Sequence, residues 1–213
     1  MKSFLNAFLD AVYPFGCVCF LCGSEALVDE LGVCLKCRPM LNQSPHPLNI
    51  DSIDGFRSGL SYEGLVAQKI REFKYGGKRF LAHYFAEFMN IPGHWNVEVI
   101  IPVPLHRKRL KERGYNQSAL LSKFISEKYG ILVDADMLQK TLNTQPQAVS
   151  SLDERLLNLN GAFRASNQCR SKGVLIVDDV ATTGSTLKEC ALTLKAAGAR
   201  YVYALTACTA ELD

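Results

Sequence analysis

The chain has 213 residues, 48% of them hydrophobic and 21% charged, with a net charge of +3. That length suits one main domain with a small appendage, and the apolar content supplies a sizeable core. Apolar runs fall short of the ~20 residues a membrane helix needs, so membrane insertion is not expected. The charge is uneven: residues 69–79 carry five cations against Glu72 and residues 106–113 five against Glu112, +4 each, which leaves the remainder at −5. Such an asymmetry points to a polyanion on one face.

Taken in chain order, Phe4, Leu5, Phe8, Leu9 and Val12 mark an amphipathic helix that packs on its own protein. Asn6 and Asp10 interrupt what would be the apolar core of a signal peptide, and no small-residue cleavage site follows, so a cytoplasmic protein is expected. Cys19-Phe20-Leu21-Cys22 and Cys34-Leu35-Lys36-Cys37 then form two C-x-x-C knuckles with 11 residues between them. Gly23 and Gly32 relieve the tight turns, and Cys19, Cys22, Cys34 and Cys37 read as a closed, structural zinc site. Disulfides and coincidentally buried cysteines are the competing readings. Cys17 creates an overlapping C-x-C-x-x-C, so it replaces Cys19 as ligand or remains a free thiol. Cys169, Cys190 and Cys208 read as core.

Pro39 and Pro45-His46-Pro47 mark a linker, dividing the chain into an N-terminal helix and zinc lobe over residues 1–48 and a main domain over 49–213. A strand over residues 56–62 is followed by helices over 65–73 and 80–89. Between them Lys74-Tyr75-Gly76-Gly77-Lys78-Arg79 is a basic turn with aromatic company, or else a solvated connector. A strand from residue 97 runs into Pro102-Val103-Pro104, a strongly basic loop covers residues 105–114, and Asn116 caps a helix that buries Leu120, Leu121, Phe124 and Ile125. Residues 131–133 read as a strand. Residues 140–155 form either a mobile cover or a plain connector, ending in the capping box Ser151-Leu152-Asp153-Glu154, which opens a helix through Leu156, Leu157 and Leu159. Residues 161–165 read as another strand of the sheet, and 200–206 as its last.

The organising stretch is residues 174–187: Val174-Leu175-Ile176-Val177, Asp178-Asp179, a loop from Val180 to Thr186, and a helix with Leu187, Cys190, Ala191, Leu194 and Ala197 on one face before Gly198. An unbroken β-branched run ending in acids is a buried parallel strand. The loop gathers backbone N–H groups and the hydroxyls of Thr182, Thr183, Ser185 and Thr186 at a helix N-terminus, which suits a phosphate. The acids lie at the carboxyl edge of the strand, where ribose hydroxyls or a cation would be met; the plainer alternative is a strand end whose Asp caps the next helix. Alternating strands and helices predict an α/β, Rossmann-like parallel sheet.

This stretch resembles the phosphoribosyl-pyrophosphate motif of type I phosphoribosyltransferases. The resemblance implies that Asp178 and Asp179, the catalytic acids, meet the ribose hydroxyls, and that Ala181, Thr182, Thr183, Gly184, Ser185 and Thr186 complete the site, with magnesium accompanying the ligand. The basic loop faces the same rim if the strands are parallel, which makes Leu105, His106 and Arg107 the pyrophosphate loop. The paired knuckles, Lys74-Tyr75-Gly76, the run through Arg113-Gly114-Tyr115-Asn116-Gln117-Ser118, and Gln147 with Arg155, Asn158 and Gly161-Ala162-Phe163 together resemble the ComF family of competence-associated proteins. That resemblance implies a role in DNA uptake, with single-stranded DNA and a DNA-translocating helicase as partners. Lys74, Lys78, Arg79, Arg107, Arg109, Lys111, Arg113 and Tyr115 are the candidates for contacting DNA, unless these cations serve pyrophosphate alone. The alternative is an active phosphoribosyltransferase, whose acceptor the sequence does not name. Any selective cover is expected from residues before Val97 or from residues 140–155.

Overall fold

Two long apolar strands form the middle of the sheet: β5, Gly173–Ala181, and β6, Tyr201–Thr209. In the computed structural model, which describes residues 18–43, 48–140 and 162–210, they are flanked by β1, Gly55–Ser61, and β2, Val99–Pro102. The order is β1-β6-β5-β2 and every pairing is parallel. Among the described residues, three helices cover one face: α1, Gly64–Tyr75; α2, Leu81–Phe88; and α4, Gln117–Tyr129. Helix α5, Ser185–Ala196, covers the other.

Alternation along β5 explains the two layers. Leu175 and Val177 join Phe73, Phe85, Leu121 and Ile125 in one core, whereas Val174 and Ile176 join Leu187, Cys190, Ala191 and Leu194 in another. The chain leaving β2 crosses to α4 on the first face, and the chain leaving β5 crosses to α5 on the second. The two exits lie side by side, since Pro102 pairs with Val177 and the Val103 amide donates to the Val177 carbonyl at 2.9 Å. Divergence of neighbouring connections opens a crevice at the carboxyl edge of the sheet.

The structure revises three sequence expectations. Residues 131–133 contribute a single bridge, Ile100 with Val133, rather than a strand. Asp134 ends it by accepting from the Asp136 and Met137 amides, each at 3.0 Å, which turns the chain away. The strand expected at 161–165 lies outside the main sheet. As β4, Phe163–Ala165, it pairs antiparallel with β3, Leu138–Lys140, in a separate ribbon whose Leu138 and Phe163 bury into the α5-side core. The basic stretch forms a short helix, α3, Arg107–Arg113, with His106 Nδ1 accepting from the Lys108 amide and Gly114 at φ 75° closing the far end. Its arginines, lysines, leucine and glutamate are good helix formers, and it buries none of its residues. The cysteine knuckles pack into the α2-side core. The N-terminal helix, Cys17, the Pro45-His46-Pro47 linker and the cover with its capping box lie outside the described residues.

Candidate functional site

The two acids at the end of β5 are held by different elements. Asp179 follows the Leu175 and Val177 side of the strand, where it is only 6% exposed and pairs with Lys74 of α1 at 2.9 Å. Asp178 is half-buried; its Oδ1 accepts from Ser118 Oγ at 2.8 Å and from the Asp179 amide at 2.9 Å. Burial and the neighbouring Asp179 charge push its carboxyl up to about 7.

Beyond the acids, Thr182, Thr183, Ser185 and Thr186 are exposed around the start of α5, and Ala181 and Gly184 are buried beneath them. Gly184 has φ +73°, and a Cβ there would meet Ile50 Cδ1 at 2.6 Å, so both conformation and space demand glycine. It occupies the N-cap position without any side-chain cap, which leaves first-turn N–H groups for an anion. Thr183 Oγ1 instead accepts from the Ser185 amide at 3.3 Å and shapes the loop. Acids and loop therefore follow one another from the carboxyl-terminal part of β5 into the start of α5. Of the three residues expected to form the pyrophosphate loop, Arg107 is exposed, while Leu105 and His106 are half-buried and His106 Nδ1 is used in capping α3.

The segment from Arg113 to Ser118 joins the basic turn after α1 to the acids. Arg113 donates to Tyr75 Oη at 3.2 Å and to Gln117 Oε1 at 3.1 Å. Gln117 donates to the Lys74 carbonyl at 3.3 Å, and the Gly114 carbonyl accepts from Arg79 at 3.1 Å. Tyr115 donates to the Phe73 carbonyl and is 7% exposed, with Arg79 over its ring at 4.8 Å. Asn116 accepts from the Ser118 amide at 3.0 Å, capping α4 and aiming Ser118 at Asp178. This segment thus positions Lys74 and Ser118, the two side chains that grip the acids.

The structure brings Lys74, Arg79, Arg109 and Arg113 to one face but places them differently. Lys78 pairs with Glu72 at 2.9 Å; against burial's upward push, Lys69 and Lys78 hold that carboxyl down at about 2. Tyr115 has its ring inside the core, where it cannot stack on a base. Among the described residues no ion pair engages Arg107, Lys108, Arg109 or Lys111. Sequence reasoning missed the roles of Gln117 and Ser118, although both sit in the segment it singled out.

In the N-terminal lobe, the ligand atoms of Cys19, Cys22, Cys34 and Cys37 lie within 4.8 Å of one another, with Cys22 and Cys34 Sγ 3.9 Å apart. A tetrahedral zinc with Zn–S bonds near 2.3 Å separates its sulfurs by about 3.8 Å, so the cluster fits such an ion. Hydrogen bonding from Ser24 holds Cys22 down at about 6, while burial pushes Cys37 up to about 12. Four thiols this close cannot all ionise without a cation among them. Phe20, between the first two cysteines, stacks on Tyr84 of α2 at 4.8 Å and meets Phe85 edge-on.

Residues 118–211 match the family model of the phosphoribosyl transferase domain. The chain is 39% identical over 104 residues to Competence protein F of Haemophilus influenzae, covering 47% of this chain and 45% of that protein. It is 26% identical over 178 residues to Competence protein ComFC of Bacillus subtilis, covering 81% and 69%. The chain is thus similar to competence proteins of the ComF kind and matches a phosphoribosyl transferase domain.

A further relative, the DNA utilization protein YhgH of Escherichia coli K12, is 38% identical over 109 residues, covering 51% of this chain and 48% of that protein. The chain thus spans about half the length of the first curated relatives it matches. Glutamine phosphoribosylpyrophosphate amidotransferase from B. subtilis overlays 62% of this chain and 26% of its own, at 18% identity and a TM-score of 0.42. The parallel sheet with its acid-bearing β5 and phosphate-type loop is the type I phosphoribosyltransferase architecture, joined here to an N-terminal four-cysteine lobe. No described helix is long and apolar enough to cross a membrane.

Proposed function

We propose that this chain is a ComF-type DNA-uptake factor that binds phosphoribosyl pyrophosphate and engages incoming single-stranded DNA in the cytoplasm. The observation that carries the ligand reading is the pairing, at one crevice, of two positioned carboxylates with an uncapped helix start ringed by hydroxyls. Asp178 and Asp179 would accept from ribose hydroxyls, Thr182 to Thr186 would hold the 5′-phosphate, and Leu105 to Arg107 would face the pyrophosphate. Carboxylate oxygens also suit magnesium, which neutralises pyrophosphate charge when bound. Support for the DNA-uptake role comes from the names of the relatives, and support for DNA contact from the cationic face around α3. A DNA-translocating helicase is the partner such a role calls for. The four-cysteine cluster would hold a structural zinc.

The test is calorimetry with phosphoribosyl pyrophosphate and magnesium on the intact chain and on Asp178→Asn/Asp179→Asn. Loss of two charge-assisted hydrogen bonds at ~1.5 kcal/mol or more each predicts at least about a 100-fold weaker affinity. Equal binding by both proteins would remove the acids from the site. Measuring transformation with the same variant ties the small molecule to DNA uptake or separates them.

One observation favours catalysis as a second reading: Asp178, at about 7, sits where a carboxyl can exchange a proton near neutral pH. Pyrophosphate release with a panel of bases, nucleotides and amines, abolished in the double variant, would establish transfer.

A further inference from the structure

Beside the acid pair, on the α1 side, lies a cavity of about 400 Å³ lined by Lys74, Tyr75, Gly77, Arg109, Glu112 and Arg113. Its walls combine three cations, one acceptor carboxylate and an aromatic ring. Arg113 covers one side of that ring, with its guanidinium 4.9 Å from the centroid, yet Tyr75 remains 73% exposed. A π-face beside cations is what an unpaired base and its phosphate require, and the volume suits a single such unit. Glu112 can accept from an exocyclic base amine, as carboxylates do from cytosine.

Lys74 is a wall of this cavity and also the partner of Asp179 at 2.9 Å. One ammonium therefore stands between two sites. A phosphate in the cavity and Asp179 compete for Lys74, while a ribose hydroxyl and Lys74 compete for Asp179. Each ligand displaces the interaction that opposes the other.

We propose that the cavity binds one phosphate-and-base unit of nucleic acid, and that Lys74 makes its occupancy cooperative with binding of the ribose ligand at Asp178 and Asp179. The cooperative half rests on the proposed reading of the acid pair; the cavity itself does not. By linkage, the cavity ligand tightens the ribose ligand by the same factor as the ribose ligand tightens it.

The test uses the full chain, fluorescent oligodeoxycytidylate of six nucleotides, and dCMP. Tyr75→Ala should weaken the oligomer about tenfold, the scale of one lost base–aromatic stack, without changing the melting temperature, because the ring is exposed. Adding Arg109→Ala should weaken it further. If only the oligomer responds, the source is a strand; if dCMP binds and responds equally, it is a free nucleotide. Unchanged affinity of both probes in the double variant overturns the cavity.

Saturating phosphoribosyl pyrophosphate with magnesium should then tighten the preferred probe at least about fivefold in the native chain, and not in Lys74→Met. Phosphoribosyl pyrophosphate that binds by calorimetry but leaves probe affinity within twofold overturns the sharing of Lys74. Failure of phosphoribosyl pyrophosphate to bind at all overturns the proposed ligand and this cooperativity together, while the cavity stands or falls on the Tyr75→Ala/Arg109→Ala double variant.

Discussion

Asp178 carries a measurable signature of its surroundings. Its carboxyl is pushed from the ordinary 3.8 up to about 7, so between those values the folded chain holds a proton that the unfolded chain has released. The stability this contributes is full below about pH 4 and lost as pH rises through 7. Asp178→Asn removes that dependence. Urea unfolding at intervals from pH 4.5 to 8 should show the variant gaining on the native chain as pH rises, with the difference levelling above pH 7. A difference independent of pH would mean that Asp178 ionises as an ordinary surface acid.

The elements divide into those whose signals are local and those whose partners are distant. Strand β5, its loop and α5 were legible because the apolar run, the acids, Gly184 and the helical face of Leu187, Cys190, Ala191 and Leu194 lie consecutively. Residues 163–165 were legible as a strand but not in their place, since a period of two names no partner, and Leu138 to Lys140 sit across a long interval of sequence. The segment from Arg113 to Ser118 was conspicuous as a motif, yet its partners Phe73, Lys74, Tyr75 and Asp178 could be read only from the fold. Helix α3 escaped notice because a helix that buries nothing has no apolar period to read.

That same exposure makes α3 a clean place to test nucleic-acid binding. Reversing Arg107, Arg109 and Lys111 to glutamate leaves the fold intact and should lower the salt dependence of single-strand binding. Each phosphate neutralised on a single strand adds about 0.7 to the log–log slope, so the slope should fall by about 2. Circular dichroism checks the fold, and an unchanged slope assigns DNA binding to another surface.

At the scale of the whole molecule, the four-cysteine lobe and the α2 side of the sheet are one packed body. Phe20, Leu21 and Val33 share a core with Phe85, Phe88 and Leu121. Chelation should therefore do more than loosen residues 18–43. We expect the melting temperature to fall by about 10 °C, equivalent to ~3 kcal/mol in a chain of this size, with amide exchange rising in α2 as well as in the lobe. Cys22→Ser should reproduce the loss together with the loss of stoichiometric zinc. Full metal content and an unchanged melting point in that variant would remove the cluster from the stability of the fold.

The packing beneath Gly184 adds a consequence for anyone trimming this protein. Ile50 forms the floor of the phosphate-type loop, and the residues after it are tied along α5 by Asp51 to Lys188 at 2.7 Å and by Asp54 to Lys195 at 2.6 Å. A fragment chosen from the family-model match would keep every residue of the acid-and-loop motif, since that match begins at residue 118. It would discard the floor, both ties and the lysine that meets Asp179. The smallest functional unit is wider than the motif that advertises it.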